Sequence, residues 1–87
     1  MKKYLIMKNE KTQYKKDLKK VKEDGILLQF VKNQTDEICL EAVRQDGLAL
    51  KYVKNQTLEI CIEAIKQNKD ASKYVKLKNF DIYKNLI

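Results

Sequence analysis

The residues whose types and spacing best suit catalysis are two pairs of carboxylates. Glu37 with Glu41, and Glu59 with Glu63, lie four residues apart, so each pair would share one face of an α-helix. Paired carboxylates act as general acid and base when a pocket drives their pKa values apart. The sequence gives no sign of such a pocket. We expect these side chains to be solvated and to form weak ion pairs with the basic residue three positions after each pair.

Two cysteines, Cys39 and Cys61, are the second chemical candidate. The chain contains no histidine, and the cysteines do not form a CxxC motif. The usual zinc sites and the usual base for a cysteine nucleophile are therefore missing, and we expect small buried thiols that are not joined in a disulfide. Ser72 is the only serine and the chain has no Gly-rich phosphate loop. We expect no catalytic residue, no metal and no cofactor, and hence no enzyme.

Both candidates fall inside a sequence that is repeated. Residues 23–44 align with residues 45–66 at 13 identical positions out of 22. A weaker third copy spans residues 67–87, and residues 1–22 match only from about Leu18. Self-similarity at a fixed period marks units that cannot bury their own apolar faces and must stack on their neighbours.

Each copy is predicted to contain two short helices joined by a polar corner. Thr35 and Thr57 precede apolar helical patterns and are typical N-caps. Gly25 and Gly47 are predicted to end helices in the left-handed conformation, which costs a glycine nothing. The next short helix is then predicted to begin at Leu48.

The expected fold class is all-α: a short helical-repeat, solenoid-like array of about seven or eight short helices. Residues 1–87 are expected to be one domain with a basic N-terminal capping segment (1–22), two repeats (23–44 and 45–66) and a degenerate C-terminal repeat (67–87). The predicted core consists of Leu28, Phe30, Val31, Ile38, Cys39, Ala42, Val43, Leu48, Leu50, Tyr52, Val53, Ile60, Cys61, Ala64, Ile65, Tyr74, Val75 and Ile82.

The net charge is concentrated near the N-terminus. Residues 1–22 contain nine lysines and two acidic residues, and they account for the whole net charge of +7. Tyr14, Leu18 and Val21 form a narrow apolar stripe on this segment, as a terminal capping helix requires. The alternative is a basic face for nucleic acid or another polyanion, directed at phosphates and without sequence specificity. That face would consist of Lys11, Lys15, Lys16, Lys19, Lys20 and Lys22.

The chain is expected to be cytoplasmic. Its basic amino terminus has only four apolar residues, Tyr4 to Met7, before Lys8, too few for a secretory signal. No stretch is apolar enough to cross a membrane, and the stripe on the N-terminal segment is too thin for a membrane-surface helix.

The stretch from Glu37 to Gln67, EICLEAVRQDGLALKYVKNQTLEICIEAIKQ, resembles the tandem repeats of the family known as domain of unknown function 4116. Members repeat a segment with an early Gly, an aromatic–Val pair, a polar corner ending in Thr, and an EIC-like helix opening. The resemblance covers residues 23–67 well and 68–87 loosely. It implies similarity to repeat proteins of bacteria and large viruses, and it implies no catalytic or ligand residue.

The function expected from a stacked array is a non-catalytic protein-interaction module, because stacked repeats present a continuous surface. The partner is expected to be another protein, with nucleic acid as the alternative. Positions at which the copies diverge, or at which an apolar side chain is available, are the predicted partner contacts: Gln29, Lys51, Leu58 and Phe80.

Overall fold

The computed structural model describes residues 2–78 and Phe80, with side chains described from Thr12 onward. Three α-helices alternate with three short 3-10 helices, and no β-strand occurs among the described residues. The predicted all-α class is therefore confirmed. The elements are α1 (Lys2–Glu23), η1 (Gly25–Phe30), α2 (Asp36–Gln45), η2 (Gly47–Tyr52), α3 (Leu58–Gln67) and η3 (Lys69–Tyr74).

The first segment forms one helix and not two. α1 runs without a break for 22 residues and contains neither glycine nor proline, while lysine and glutamate favour an uninterrupted helix. This is one reason why the described residues contain six helical elements and the sequence predicted seven or eight. The prediction also included residues after Lys78, which apart from Phe80 lie outside the described residues.

The two rows of helices enclose the core. α1, α2 and α3 lie side by side in chain order, and so do η1, η2 and η3. Each 3-10 helix also packs against an α-helix, η1 against both α1 and α2, and η2 against both α2 and α3. In the described part of the chain, none of the helices has the length and apolar character needed to cross a membrane.

The predicted N-caps are confirmed. Thr35 accepts a hydrogen bond from the Ile38 N–H, and Thr57 accepts one from the Ile60 N–H, each at 3.2 Å. A threonine at this position satisfies one of the backbone donors that a helix start leaves free. Both copies therefore begin their α-helix with the same side-chain contact.

The transition from α-helix to 3-10 helix depends on an Asp or Asn that sequence reasoning did not identify. Asp46 ends α2 by donating its N–H to the Ala42 carbonyl at 2.9 Å. Its carboxylate accepts from the Leu48 N–H at 3.0 Å and so begins η2. Asp24 and Asn68 occupy the corresponding positions before η1 and η3.

The left-handed conformation predicted for the two glycines was wrong. Gly25 and Gly47 begin 3-10 helices and do not adopt the left-handed conformation. Each is buried where two stretches of backbone approach closely. A Cβ on Gly47 would meet the carbonyl oxygen of Ala64 and lie 3.1 Å from the Asn68 nitrogen. Glycine is needed here because there is no room for a side chain.

Most of the predicted core residues that the structure describes are buried or partly buried. The exception is Phe30, which is 68% exposed. Its counterparts Tyr52 and Tyr74 end 3-10 helices that pack against the preceding 3-10 helix, whereas the element before η1 is the α-helix α1. Ile82 lies outside the described residues. The buried hydrophobic residues are Val21, Leu28, Val31, Ile38, Cys39, Ala42, Val43, Ala49, Leu50, Val53, Ile60, Cys61, Ala64 and Ala71.

The small residues Ala49 and Ala71 were absent from the predicted core. Both are fully buried, in η2 and η3, where neighbouring 3-10 helices contact each other. An alanine permits close approach of two backbones, so its burial follows from the packing of the row and not from its own hydrophobicity.

Candidate functional site

Gln34, in the polar corner between η1 and α2, binds the next segment of the chain. Its Nε2 donates to the Tyr52 carbonyl at 2.9 Å, and its Oε1 accepts from the Lys54 N–H, also at 2.9 Å. The same amide reaches back to the Leu28 carbonyl at 3.4 Å, and the Cys39 thiol donates to its Oε1 at 3.7 Å. One side chain therefore joins two consecutive corners.

Gln56 makes the same contacts one segment further along. Its Nε2 donates to the Tyr74 carbonyl at 2.9 Å, and its Oε1 accepts from the Lys76 N–H at 2.8 Å. The Cys61 thiol donates to Oε1 at 3.4 Å. Sequence reasoning treated this corner only as a polar turn. The signal that was available was the identity of glutamine in both copies.

The carboxylate pairs are on the surface and take part in ion pairs. Arg44 lies 3.7 Å from Glu41 in its own helix and 3.8 Å from Glu63 in α3. The contact of Arg44 with Glu41 was predicted. The predicted pair of Lys66 with Glu63 does not form, and Glu63 instead contacts Arg44 of the neighbouring helix. Both carboxylates are partly exposed, so these ion pairs contribute little stability. The arrangement is that of a solvated helix surface.

The cysteines are buried free thiols, as predicted. Burial raises the pKa of Cys61 to about 11, and burial together with the nearby Asp36 carboxylate raises the pKa of Cys39 to about 11. A thiol must ionise to act as a nucleophile or a metal ligand. Each thiol here instead donates to the glutamine of its own corner.

The predicted polyanion-binding lysines lie on the exposed side of α1. Lys15, Lys16, Lys19, Lys20 and Lys22 are all exposed. The side chain of Lys11 lies outside the described ones. At about 100° per residue these lysines span roughly half of the helix circumference.

The opposite side of α1 packs on the rest of the molecule, as its stripe predicted. Val21 is fully buried, and Tyr14 and Leu18 pack partly buried against the core. Tyr14 donates to the Glu37 carboxylate, which raises the pKa of the tyrosine hydroxyl. Asp17 is buried on this side and accepts from the Gln13 amide at 2.9 Å.

The four predicted partner contacts do not form one group. Gln29 and Lys51 are exposed at equivalent positions of η1 and η2. Leu58 and Phe80 are half-buried, and Phe80 packs against the core. The first pair is therefore available to a partner, while the packing of Phe80 already has a structural role.

Lysines and aromatic rings share the surface formed by η2 and η3. Lys51 Nζ lies 5.7 Å from the ring centroid of Tyr52 and 6.0 Å from that of Tyr74. Lys73 Nζ lies 5.3 Å from the Tyr74 ring. Sequence reasoning singled out Lys51 but did not foresee that it lies between rings of two consecutive segments.

Among the described residues, no group of three or more His, Cys, Asp or Glu side chains converges.

The model of the family described as Domain of unknown function (DUF4116) matches residues 18–58 and again residues 36–81. The two overlapping matches are consistent with the duplication in the sequence. No curated protein and no solved structure matches the chain.

Proposed function

Because the chain belongs to the DUF4116 family, whose function is unknown, we propose a role from its own residues: a helical-repeat, solenoid-like array that works as a non-catalytic protein-interaction module. The observation that supports it best is the pair of corner glutamines. Each binds backbone 18 and 20 residues ahead, so each segment is held against the next in the same way. An array of this kind stabilises itself through neighbouring units and leaves one side of each unit free for a partner.

The surface positions that differ between copies support a binding role. Gln29, Lys51 and Lys73 occupy one equivalent position and are all exposed; the later two copies both carry lysine, and only Gln29 differs. Nothing in the packing requires different residues there, whereas a partner that runs along the array contacts each of them separately. We therefore assign this row of 3-10 helices to the protein contact.

The proposal places the module in the cytoplasm. Cys39 and Cys61 are free thiols, which suits a reducing compartment.

Site-specific photo-crosslinking in native lysate tests the protein-binding role. A photoreactive amino acid replaces exposed Gln29, and the control carries it at exposed Lys19 on α1. We expect one adduct from position 29 that disappears when excess unlabelled chain competes, and no such adduct from position 19. If neither position gives an adduct that competitor removes, the chain does not bind a protein through this surface.

A second candidate function is polyanion binding by α1, and the observation in its favour is the exposure of its lysines. They would act through phosphates and lose affinity steeply with salt. A gel-shift titration at low and high salt tests this, with the Lys15, Lys16, Lys19 and Lys20→Glu variant as comparison. If the wild type shifts the nucleic acid and this variant does not, the second candidate is favoured. If the wild type gives no shift even at low salt, the second candidate is ruled out.

A further inference from the structure

The balanced charge of residues 23–87 conceals a separation between the two rows of helices. The stretches 25–35, 47–57 and 69–79, which contain the 3-10 helices and corners, have seven lysines and one acidic residue, Asp70; the capping residues Asp24 and Asp46 directly precede the first two stretches. α2 and α3 instead contain five acidic and two basic residues. Within residues 23–87 the side formed by the 3-10 helices and corners is therefore basic, while α2 and α3 are acidic; α1, which lies beside α2, is itself basic.

The basic side also presents an aromatic residue at one position of every segment. We call this surface the basic edge. Its members are Phe30, Lys32, Lys51, Tyr52, Lys54, Lys73, Tyr74 and Lys76.

The five lysines of the basic edge are exposed, and so is Phe30. The corner glutamines fix the spacing, because Gln34 holds the backbone of Lys54 and Gln56 holds that of Lys76. Consecutive corners thus lie side by side, and Lys32, Lys54 and Lys76 form a row along them.

We propose that the basic edge binds single-stranded nucleic acid, with bases stacked on the aromatic positions and phosphates along the lysine row. Proteins that bind single strands combine a cationic track with aromatic platforms. The contacts of Lys51 with two rings show that ammonium groups and rings occupy the same patch. A base that stacks on such a ring brings its phosphate within reach of the neighbouring lysine. This proposal does not require the protein-binding role, but it uses the same row of 3-10 helices, so a bound single strand and a bound protein would compete for this surface.

The aromatic residues of the basic edge, and not the kind of cation, favour a nucleic acid over an acidic peptide. Arginine binds carboxylate and phosphate alike through a planar two-pronged contact, and lysine binds either group as a point charge. The only arginine of the chain, Arg44, lies in α2 and pairs with Glu41 and Glu63. The lysines of the basic edge stand beside aromatic rings, and bases stack on such rings whereas an acidic peptide of Asp and Glu does not.

Fluorescence anisotropy with labelled oligo(dT) and oligo(U) of about 12 nucleotides tests the proposal on the whole chain. The edge variant combines Lys51→Gln, Lys54→Gln and Lys76→Gln, and Gln29 already stands at the position equivalent to Lys51. The matched control removes three charges from α1 with Lys15→Gln, Lys16→Gln and Lys19→Gln. Phe30→Ala removes an exposed ring and leaves the core intact. Circular dichroism checks that each variant folds.

We expect both oligonucleotides to bind at low salt, with affinity that falls steeply as salt rises. The edge variant is expected to lower the slope of log affinity against log salt by about two, as three lost phosphate contacts predict. Phe30→Ala is expected to weaken binding about tenfold through lost stacking. The α1 control is expected to change the slope by less than half as much as the edge variant. If the edge variant does not fold, the oligonucleotide affinities of the Phe30→Ala variant and of a single Lys51→Gln variant test the proposal instead.

Four outcomes overturn the proposal. The first is no binding of either oligonucleotide at low salt. The second is an α1 control that weakens binding as much as the edge variant, which moves the site to α1. The third is duplex DNA that binds as tightly as the single strands, because a duplex cannot stack its bases on the rings. The fourth is an acidic peptide of equal charge that displaces the oligonucleotide as well as unlabelled oligonucleotide does.

Discussion

Gln34 and Gln56 make the same hydrogen bonds one segment apart in the chain. Each amide donates to a carbonyl 18 residues ahead at 2.9 Å and accepts from an N–H 20 residues ahead at 2.8–2.9 Å. These bonds connect backbone groups that a segment cannot satisfy with its own residues. The corner glutamine is therefore the side chain that ties one segment to the next.

We expect Gln56→Ala to destabilise the fold by about 1–3 kcal/mol, because the partly buried Tyr74 carbonyl and the Lys76 N–H lose their partner. Gln56→Glu is expected to be at least as damaging, since a carboxylate accepts from Lys76 but cannot donate to Tyr74. Urea denaturation measures both changes.

Gln29→Ala is the matched control for this prediction. Gln29 is exposed and makes only a long 3.4 Å contact with the Ile26 carbonyl in its own 3-10 helix. Its loss is expected to change stability by no more than about 0.5 kcal/mol. Equal effects of Gln29→Ala and Gln56→Ala would show that the corner glutamine has no special role.

Gly47→Ala is expected to cost about 1–3 kcal/mol through overpacking against the carbonyl of Ala64. At positions with room for a side chain, replacing glycine by alanine often stabilises a protein, because it reduces the conformational freedom of the unfolded chain. Lys69 occupies the equivalent position of the third copy, and its exposed side chain makes Lys69→Ala a suitable control. Thermal unfolding measures the stability of both variants. A Gly47→Ala variant as stable as the wild type would contradict the explanation that two backbone stretches approach too closely for a side chain.

Thr57→Ala is expected to destabilise the fold by about 1 kcal/mol, because the Ile60 N–H loses its capping oxygen. Thr57→Ser retains that oxygen and is expected to recover most of the loss. A serine variant as unstable as the alanine variant would mean that the threonine methyl group, not the cap, is responsible. Chemical denaturation of the two variants side by side gives the answer.

Much of the fold follows from local signals in the sequence. The threonine caps, the apolar helix that follows each and the narrow stripe on α1 are consequences of residues close in the chain, and all were predicted. The roles of Asp46 and Gly47 were missed because both belong to one tight turn, where a cap directly followed by glycine resembles a simple helix end.

The surface was harder to predict than the core. Phe30 is apolar and aromatic, like a core residue. It is exposed because η1 is the first 3-10 helix described and does not pack against an earlier one, as η2 and η3 do. The contacts of Lys51 with Tyr52 and Tyr74 depend on how segments lie against each other, which no local pattern encodes. Summing charge along the chain likewise hid the separation between acidic α2 and α3 and the basic row of 3-10 helices and corners.

The buried thiols predict how stability depends on pH. The pKa of Cys39 and Cys61 is about 11 in the fold and 9.0 ordinarily. Between these values the unfolded state has lost thiol protons that the folded state still binds. The free energy of unfolding is therefore expected to fall as the pH rises through this interval. At pH values below the interval, the thiols contribute their full stabilisation of the fold.

The Cys39→Ser and Cys61→Ser double variant isolates this effect from the lysines, and is expected to lose less stability over that interval than the wild type. Thiol labelling with a disulfide reagent provides an independent check. A pKa higher by two units lowers the thiolate fraction about a hundred-fold, so labelling of the native chain is expected to be slower than in denaturant by at least this factor. Equal labelling rates would show that the thiols are not protected.

Insertion of a second copy of residues 45–66 directly after Lys66 tests the proposed repeat array as a whole. In an array, the added Gln56 would bind the next corner as the original does, and the extra unit brings its own interface with a neighbour. We expect the mean helical signal per residue to be maintained and both the free energy of unfolding and its urea dependence to increase. An insertion of the same residues in scrambled order is the control. If the ordered insertion lowers stability as much as the scrambled one, the segments do not stack as interchangeable units.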